Sequence, residues 1–219
     1  MWQHPYALIG SANITRVPIL HGTNLDEGAS FEPLTKHVGA AEVQRDWQKW
    51  YGSTMGPDAA TRLRDLYLTQ SYPVAGVGSD SWWAAQRSLT DQSFVCSARA
   101  LSHRLGAVTP VYQYVFRPAT LPVRSHGSEV SYVFLHESLA PADRALAEQM
   151  ADAWAAFAAE GMPGAGRWVR FDPEADGPYV TLDVSPSAGG HGIGTASGLY
   201  KATCGRFFDG WNEQVTRAA

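Results

Sequence analysis

The sequence predicts an α/β fold, a sheet with helices on its faces. Two short runs rich in apolar, β-branched and aromatic residues indicate strands, and several segments carry apolar residues at helical spacing. Their order along the chain is strand, helices, strand, helix, which is typical of this class. Two strong strands are too few for a parallel sheet, which is buried on both faces and normally has several members. Either further strands escape the pattern, or part of the sheet lies outside this chain.

The first elements are a strand and two helices. Residues 17–22, Val-Pro-Ile-Leu-His-Gly, form an apolar run followed by a polar stretch, which predicts a buried strand ending in a loop. Apolar residues recur at spacings of four and three between residues 40 and 51, which predicts a short amphipathic helix: Val43, Trp47 and Trp50. A second helix is predicted to begin after Pro57 and to end before Pro73.

The remaining elements follow the same reasoning. Residues 80–105 contain neither Gly nor Pro and predict one long or broken helix, and residues 110–116, Pro-Val-Tyr-Gln-Tyr-Val-Phe, predict a strand. A helix should begin at Pro141 and end before Gly161, since an apolar stripe runs along it: Leu146, Met150, Trp154 and Phe157. Residues 161–198, rich in Gly, Pro, Ser and Asp, predict loops and short strands, and a last helix is predicted over 206–216.

Composition and charge exclude several classes of protein. The chain is 45% hydrophobic and has no apolar run of about 18 residues, so we expect a folded core and no membrane span. A net charge of −4 gives no basic surface for phosphate backbones, which argues against nucleic acid as a partner. The opening residues, MWQHPYALIG, lack the charged and apolar regions of a secretory signal. The 219 residues fit one domain.

Candidate chemistry follows the two predicted strands. In α/β sheets, ligands bind beyond the carboxyl ends of the strands. Asp26 and Glu27 follow the first strand, and His126 lies beyond the second. A carboxylate that orients a histidine would make an acid–base pair. On spacing alone, a solvated Asp-Glu-Gly turn and a His-Gly loop end remain alternative interpretations.

Four segments resemble one family in the right order. Residues 17–31 look like the strand and loop that present the catalytic glutamate in type-B carboxylesterases and cholinesterases, and residues 126–134 are similar to the segment that begins with that family's catalytic histidine. Residues 90–98 resemble the segment leading into a helix at a half-cystine, and residues 147–163 resemble the family's helix and its exit. The likeness therefore runs from about residue 14 to the end.

The resemblance implies that residues 1–219 are the C-terminal portion of a carboxylesterase type-B domain, with the incomplete mixed sheet and flanking helices of part of an α/β-hydrolase fold. It makes Glu27 the triad acid and His126 the general base, with Asp26 as the rival acid. For Glu129, bracing of the loop is favoured over a metal pair because no further ligands accompany it. No cofactor or metal is implied. The other histidines are predicted to be structural or at the surface: His21, His37, His103, His136 and His191.

The nucleophile that this family needs is missing from the sequence. A Gly-x-Ser-x-Gly elbow should precede the acid and the histidine, and no such pattern occurs. Residues 194–198 misplace the serine and follow His126, and the glycine-rich residues 189–192 come too late to form an oxyanion loop. We therefore expect the serine and the oxyanion hole to lie elsewhere and the isolated chain to be inactive.

The resemblance also bears on the cysteines. Cys96 and Cys204 fall where some animal members of the family place a disulfide, with free buried thiols as the alternative. A disulfide would favour a secreted or periplasmic location.

Three functions remain open from the sequence. The first is a carboxylic-ester hydrolase segment that acts on a small-molecule ester in the complete protein. The second is a catalytically inactive, cholinesterase-like module for protein interaction. The third is a split enzyme, in which an N-terminal half or a second chain supplies the serine. Retention of both Glu27 and His126 counts against the inactive module, which has no need of the pair.

Overall fold

The fold is built on a mixed, four-stranded sheet with the strand order β1-β2-β3-β4. The computed structural model describes residues 8–9, 14–70, 72, 76–164, 166–175, 177–183 and 192–210. The strands are β1 (Ile19–Asn24), β2 (Val111–Phe116), β3 (Tyr179–Leu182) and β4 (Ile193–Ala196). The first three are parallel to one another, and β4 is antiparallel to β3. This mixed sheet confirms the predicted α/β class.

Helices account for most of the remaining regular structure. They are α1 (Ala40–Met55), α2 (Pro57–Tyr67), α3 (Asp80–Thr90), α4 (Cys96–Gly106), α5 (Val130–Val133), α6 (Arg144–Glu160) and α7 (Lys201–Thr203). Short 3₁₀ turns cover Glu27–Ser30 and Pro141–Asp143. For the last helix, predicted over 206–216, the first residues lie in a wider, π-type turn, Cys204–Phe208, which α7 precedes, and residues 211–216 lie outside the described residues.

Both strongly predicted strands are present, and β3 and β4 lie within the stretch predicted to hold loops and short strands. Each of these two strands has only four residues, so neither gives an extended apolar pattern. α1 continues beyond the predicted end and stops at Gly56, whose positive φ of 88° breaks the helical backbone.

The long segment after Asp80 is a broken helix. Ser79 begins α3 as its N-cap, since its side chain accepts a hydrogen bond from the backbone N–H of Trp82. Between α3 and α4, Asp91–Val95 adopts the wider π-type turn, in which the N–H of Cys96 donates to the carbonyl of Asp91. The segment stays continuous while its register shifts by one residue. Such turns are frequent at functional sites.

The two largest apolar clusters of the described residues hold the layers together. One packs α1, α2 and α3 around buried aromatic residues, among them Trp47, Tyr67 and Trp83. The other packs α6 onto β2 and β3 through Leu146, Met150 and their neighbours. Trp82 and Trp83 are both buried in the first cluster.

The two cysteines form a disulfide. Cys96, at the start of α4, is bonded to Cys204, which lies 108 residues further along the chain. Both are fully buried in the first apolar cluster. The pairing resolves the choice between free thiols and a bridge.

No helix within the described ranges combines the length and the apolar character that crossing a membrane requires.

Candidate active site

The structure brings Glu27 and His126 into direct contact at the carboxyl ends of two adjacent parallel strands. β1 ends at Asn24, and the chain then turns so that the backbone N–H of Asn24 donates to Oε1 of Glu27 at 2.7 Å. The second carboxylate oxygen, Oε2, lies 2.7 Å from Nδ1 of His126. Each oxygen of Glu27 thus has a defined partner, which fixes the direction of the carboxylate.

Burial of Glu27 disfavours its negative charge, and hydrogen bonds to the carboxylate offset part of this effect. Burial raises the pKa of Glu27, and the nearby carboxylate of Glu129 raises it further. The hydrogen bonds from the Asn24 N–H and from His126 act in the opposite direction. Burial outweighs these hydrogen bonds, so the pKa of Glu27 lies above its ordinary value.

His126 lies between the buried carboxylate of Glu27 and the solvent. Its side chain is 54% exposed, whereas that of Glu27 is 6% exposed. Because Nδ1 faces Glu27, Nε2 is the ring nitrogen left for a reacting group. Two phenylalanine rings border the imidazole: the centroids of Phe31 and Phe94 lie 5.2 Å and 5.4 Å from its own. The ring orientation is thus set by packing as well as by the carboxylate.

Asp26, the rival acid, makes different contacts. It is completely buried, and its Oδ1 lies 2.8 Å from Nη2 of Arg87. Its Oδ2 accepts a hydrogen bond from the backbone N–H of Arg124 at 3.0 Å, and its own N–H donates to the Arg124 carbonyl. Asp26 therefore ties the Glu27 turn to α3 and to the segment two residues before His126, and it does not contact the imidazole.

Asn24 is a residue that the sequence reasoning missed. Its side-chain Nδ2 donates to the carbonyl of Ser125 at 2.8 Å and to Oε2 of Glu129. Asn24 thus holds Glu27 through its backbone and the His126 segment through its side chain. The available signal was a polar residue at the end of a predicted buried strand, directly before the candidate acid.

Glu129 braces this loop through its bond to Asn24, the role that sequence reasoning favoured over a metal pair. Across the described part of the chain, no group of three or more His, Cys, Asp or Glu side chains is arranged to hold a metal ion.

Gly28 allows the Glu27 turn to lie against α3. A Cβ atom at this position would lie 2.2 Å from the carbonyl oxygen of Gln86, far inside any van der Waals contact. The N–H of Gly28 donates to Oγ1 of Thr90 at 2.9 Å. The glycine in the Asp-Glu-Gly triplet is therefore required by close packing and does not mark a solvated turn.

The remaining predicted residues do not join this site. His21 bonds Oγ of Ser102 at 2.7 Å on α4, His136 pairs with Ser138, and His103 packs edge-on against Phe171. His37 is exposed. His191 and residues 189–190 of the glycine-rich stretch lie outside the described residues. Within the ranges that the structure describes, no serine, threonine or cysteine side chain is hydrogen-bonded to Nε2 of His126.

Comparison with known proteins identifies similar chains. The sequence profile described as the carboxylesterase family matches residues 1–204. Human (Homo sapiens) cocaine esterase is 24% identical over 214 residues, a match that covers 85% of this chain and 37% of that protein. Fumonisin B1 esterase of Sphingopyxis macrogoltabida is 29% identical over 206 residues, with coverages of 83% and 35%. This chain thus spans just over a third of the length of these relatives.

Solved structures show the same fold. A PNB esterase superimposes with a TM-score of 0.67 at 22% identity, and the match covers 93% of this chain and 41% of that one. A thermophilic PNB esterase also gives 0.67, at 20% identity and the same coverages. The mixed sheet and its helices therefore match part of the α/β-hydrolase fold of those proteins.

Proposed function

The chain belongs to the carboxylesterase family, and from this premise we propose that it supplies the acid and the histidine of the catalytic triad of a carboxylic-ester hydrolase. Glu27 is the acid, His126 is the general base, and the nucleophilic serine comes from a segment that bears Gly-x-Ser-x-Gly. That pattern does not occur in the 219 residues of this sequence. The substrate is a small organic ester, the class named by the two esterase relatives.

One observation carries the proposal: the 2.7 Å contact between Nδ1 of His126 and Oε2 of a buried Glu27, with the imidazole half-exposed. A buried carboxylate on Nδ1 selects the tautomer whose Nε2 is free to accept a proton. It also stabilises the imidazolium that forms when the proton arrives. A solvated surface pair would not hold the ring in this way.

The proposed reaction proceeds through an acyl-enzyme. Nε2 of His126 takes the proton of the serine hydroxyl as its oxygen attacks the ester carbonyl, and the resulting imidazolium gives that proton to the departing alcohol. Water then attacks the acyl-enzyme while Nε2 of His126 accepts its proton. The imidazolium gives this proton to the serine oxygen as the acyl C–O bond breaks, which releases the acid product and restores the serine. Throughout the cycle, Glu27 orients the ring and stays ionised.

The test is complementation. This chain is co-expressed with a segment that carries the Gly-x-Ser-x-Gly elbow, taken from the reading frame upstream of Met1, and the purified pair is assayed with p-nitrophenyl acetate. We expect turnover by the pair and none by this chain alone. In the pair, His126→Ala should lower kcat by at least about 10³-fold, and Glu27→Gln should lower it by at least about 10²-fold.

Matched variants separate catalysis from general damage. His136→Ala removes an exposed histidine that is hydrogen-bonded to Ser138, and Glu148→Gln removes an exposed carboxylate on α6. Both should leave kcat unchanged. Retained activity in His126→Ala would contradict the proposal. So would a pair that co-purifies and yet neither hydrolyses the ester nor is labelled by a serine-directed phosphonate, a result that points instead to an inactive interaction module.

A further inference from the structure

One face of the sheet carries polar side chains in the interior of the protein. Successive residues of a strand point to opposite faces, so His21 and Thr23 of β1 share a face with Gln113 of β2. The register of the two parallel strands places His21 directly opposite Gln113. The three polar side chains are therefore neighbours on this face.

Contacts identify the segment that covers this face. Nε2 of His21 lies 2.7 Å from Oγ of Ser102 on α4. Val115 of β2, which points to the same side of the sheet, packs in one cluster with Val95 of the π-type turn before α4. The polar side chains thus lie between the sheet and the segment formed by the π-type turn and α4.

This layer is shut off from solvent. Gln113 and Ser102 are completely buried, and Thr23 is 5% exposed. On the same face of β2, the buried side chains of Val111 and Val115 lie on either side of Gln113. Buried polar groups in folded proteins are as a rule hydrogen-bonded, so an amide in this position requires a partner for its oxygen and one for its nitrogen.

The protein itself does not supply these partners. Among the residues that the structure describes, neither Oε1 nor Nε2 of Gln113 has a hydrogen-bond partner, and the same holds for Oγ1 of Thr23. The orientation chosen for the amide does not matter here, because both of its ends lack a partner. An unpaired polar group in the interior favours the unfolded state, in which water satisfies it.

We propose that internal water binds on this face, with the Gln113 amide and the Thr23 hydroxyl as its protein partners. These two side chains define the Gln113 site. A ligand of this site must donate a hydrogen bond to Oε1 and accept one from Nε2, and water does both. It is also small enough to lie between two packed layers, and polar sites of this kind hold ordered water in globular proteins.

Other ligand classes fit the Gln113 site less well. A cation would satisfy only the oxygen atoms, and an anion would satisfy only the N–H and O–H groups. Either ion would also bring an uncompensated charge into a layer whose neighbouring side chains are mainly apolar. An apolar group would satisfy none of the three unpaired atoms.

The Gln113 site joins the two strands that lead to the candidate active site. β1 continues into the Glu27 turn, and β2 continues into the segment that carries His126. Water held between Thr23 and Gln113 would add a side-chain connection to the backbone pairing of these strands. The inference does not rest on the proposed function.

The experiment counts internal water in this chain. Magnetic relaxation dispersion of the water oxygen nucleus detects water molecules that stay inside the protein for longer than its rotational tumbling. Gln113→Met keeps the length of the side chain and removes both polar atoms, and Thr23→Val keeps the shape and removes the hydroxyl. We expect each variant to lose at least one long-lived water molecule relative to the wild type.

Gln48→Met is the matched control, since it makes the same change at an exposed position on α1 and should keep the wild-type dispersion. A crystal structure of the wild-type chain is the second measurement and decides the matter even if a variant does not fold. It should show water within hydrogen-bond distance of the Gln113 amide and of Oγ1 of Thr23. Unchanged dispersion in folded Gln113→Met, an equal loss in Gln48→Met, or a crystal structure in which both ends of the amide bond only to protein groups would each overturn the inference.

Discussion

Asp26 and Asn24 do most to connect the two segments of the candidate site, although neither is the acid. Asp26 joins the Glu27 turn to α3 and to Arg124, and Asn24 joins the end of β1 to Ser125 and Glu129. These two residues lie on either side of Leu25, so both sides of the turn are fastened to the His126 segment. The close contact of Glu27 and His126 depends on this frame.

Asp26→Asn should destabilise the chain strongly. The change removes the negative charge that faces Arg87 and Arg124, whose side chains are only 20% and 12% exposed, and leaves both guanidinium groups without this buried counter-charge. Breaking a buried pair from one side costs about 3–5 kcal/mol in the free energy of unfolding. Chemical denaturation followed by circular dichroism measures the loss.

Asp65→Asn is the control for Asp26→Asn. It removes one half of the exposed pair between Arg64 and Asp65, a change that should cost no more than about 1 kcal/mol. If both variants lost the same small amount, the Asp26 cluster would not be a structural clamp.

His21 contributes a pH dependence to stability. Burial lowers its pKa from the ordinary value of 6.5 to about 4, so the folded chain keeps this imidazole neutral where the unfolded chain protonates it. Between these two pH values the unfolded state binds more protons, and stability from this residue is lost as the pH falls from 6.5 towards 4. In urea denaturation at a series of pH values, we expect the free energy of unfolding of His21→Gln to fall less steeply with decreasing pH than that of the wild type. The exposed His37→Gln should follow the wild type, and a His21→Gln slope equal to that of the wild type would refute the assignment.

At the scale of elements, the site depends on how closely the Glu27–Ser30 turn approaches α3. Contact with Gln86 and Thr90 places the turn on the helix, and α3 in turn is anchored in the aromatic core by Trp82 and Trp83. The acid is therefore positioned from the helix layer as well as from the sheet.

Gly28→Ala tests this approach. The added methyl group would lie 2.2 Å from the Gln86 carbonyl oxygen, and backbone on both sides must move to admit it. Overpacking of this kind costs about 1–3 kcal/mol, and thermal unfolding should show it. Gly210→Ala, at an exposed helical position where a Cβ atom meets nothing within 4 Å, is the matched change and should not lower the unfolding temperature. Similar decreases in unfolding temperature in the two variants would argue against close packing of the Glu27–Ser30 turn on α3.

At the scale of the whole molecule, two features stand out: the disulfide, which joins distant segments, and the edge of the sheet at β1. The Cys96–Cys204 disulfide links residues 108 positions apart and connects the last described segment to α4. In the described ranges, β1 pairs on one side with β2 and has no strand on its other side. Strands of parallel sheets are normally buried inside the fold. Under the proposed function, a strand of the serine-bearing segment would therefore pair with the free edge of β1.

Removing the disulfide should lower the free energy of unfolding by about 2–4 kcal/mol, since the unfolded chain without the bridge has more conformational entropy. Cys96→Ser/Cys204→Ser is compared with the wild type in denaturant, with and without a reductant. The reductant should destabilise only the wild type. A wild-type midpoint that does not change on verified reduction would contradict this expectation.

Much of the fold could be predicted because it follows from local pattern. Helical spacing marked α1, α2 and α6, and apolar runs marked β1 and β2, with ends that differ by only a few residues from the structure. β3 and β4 could not be located individually, since four-residue strands in a region rich in Gly and Pro have no pattern of their own. Sheet pairing, not local propensity, makes them strands.

The sequence by itself determined the α/β order, the absence of a Gly-x-Ser-x-Gly motif, and the two loops that bear Glu27 and His126. The resemblance already favoured Glu27 over Asp26, and the structure places Glu27 against the imidazole. Tertiary structure alone decided that Asn24 connects both loops and that the two cysteines pair. The physical reason is separation along the chain. Periodicity reports interactions between near neighbours, whereas these contacts join residues about a hundred positions apart and exist only once the core is packed.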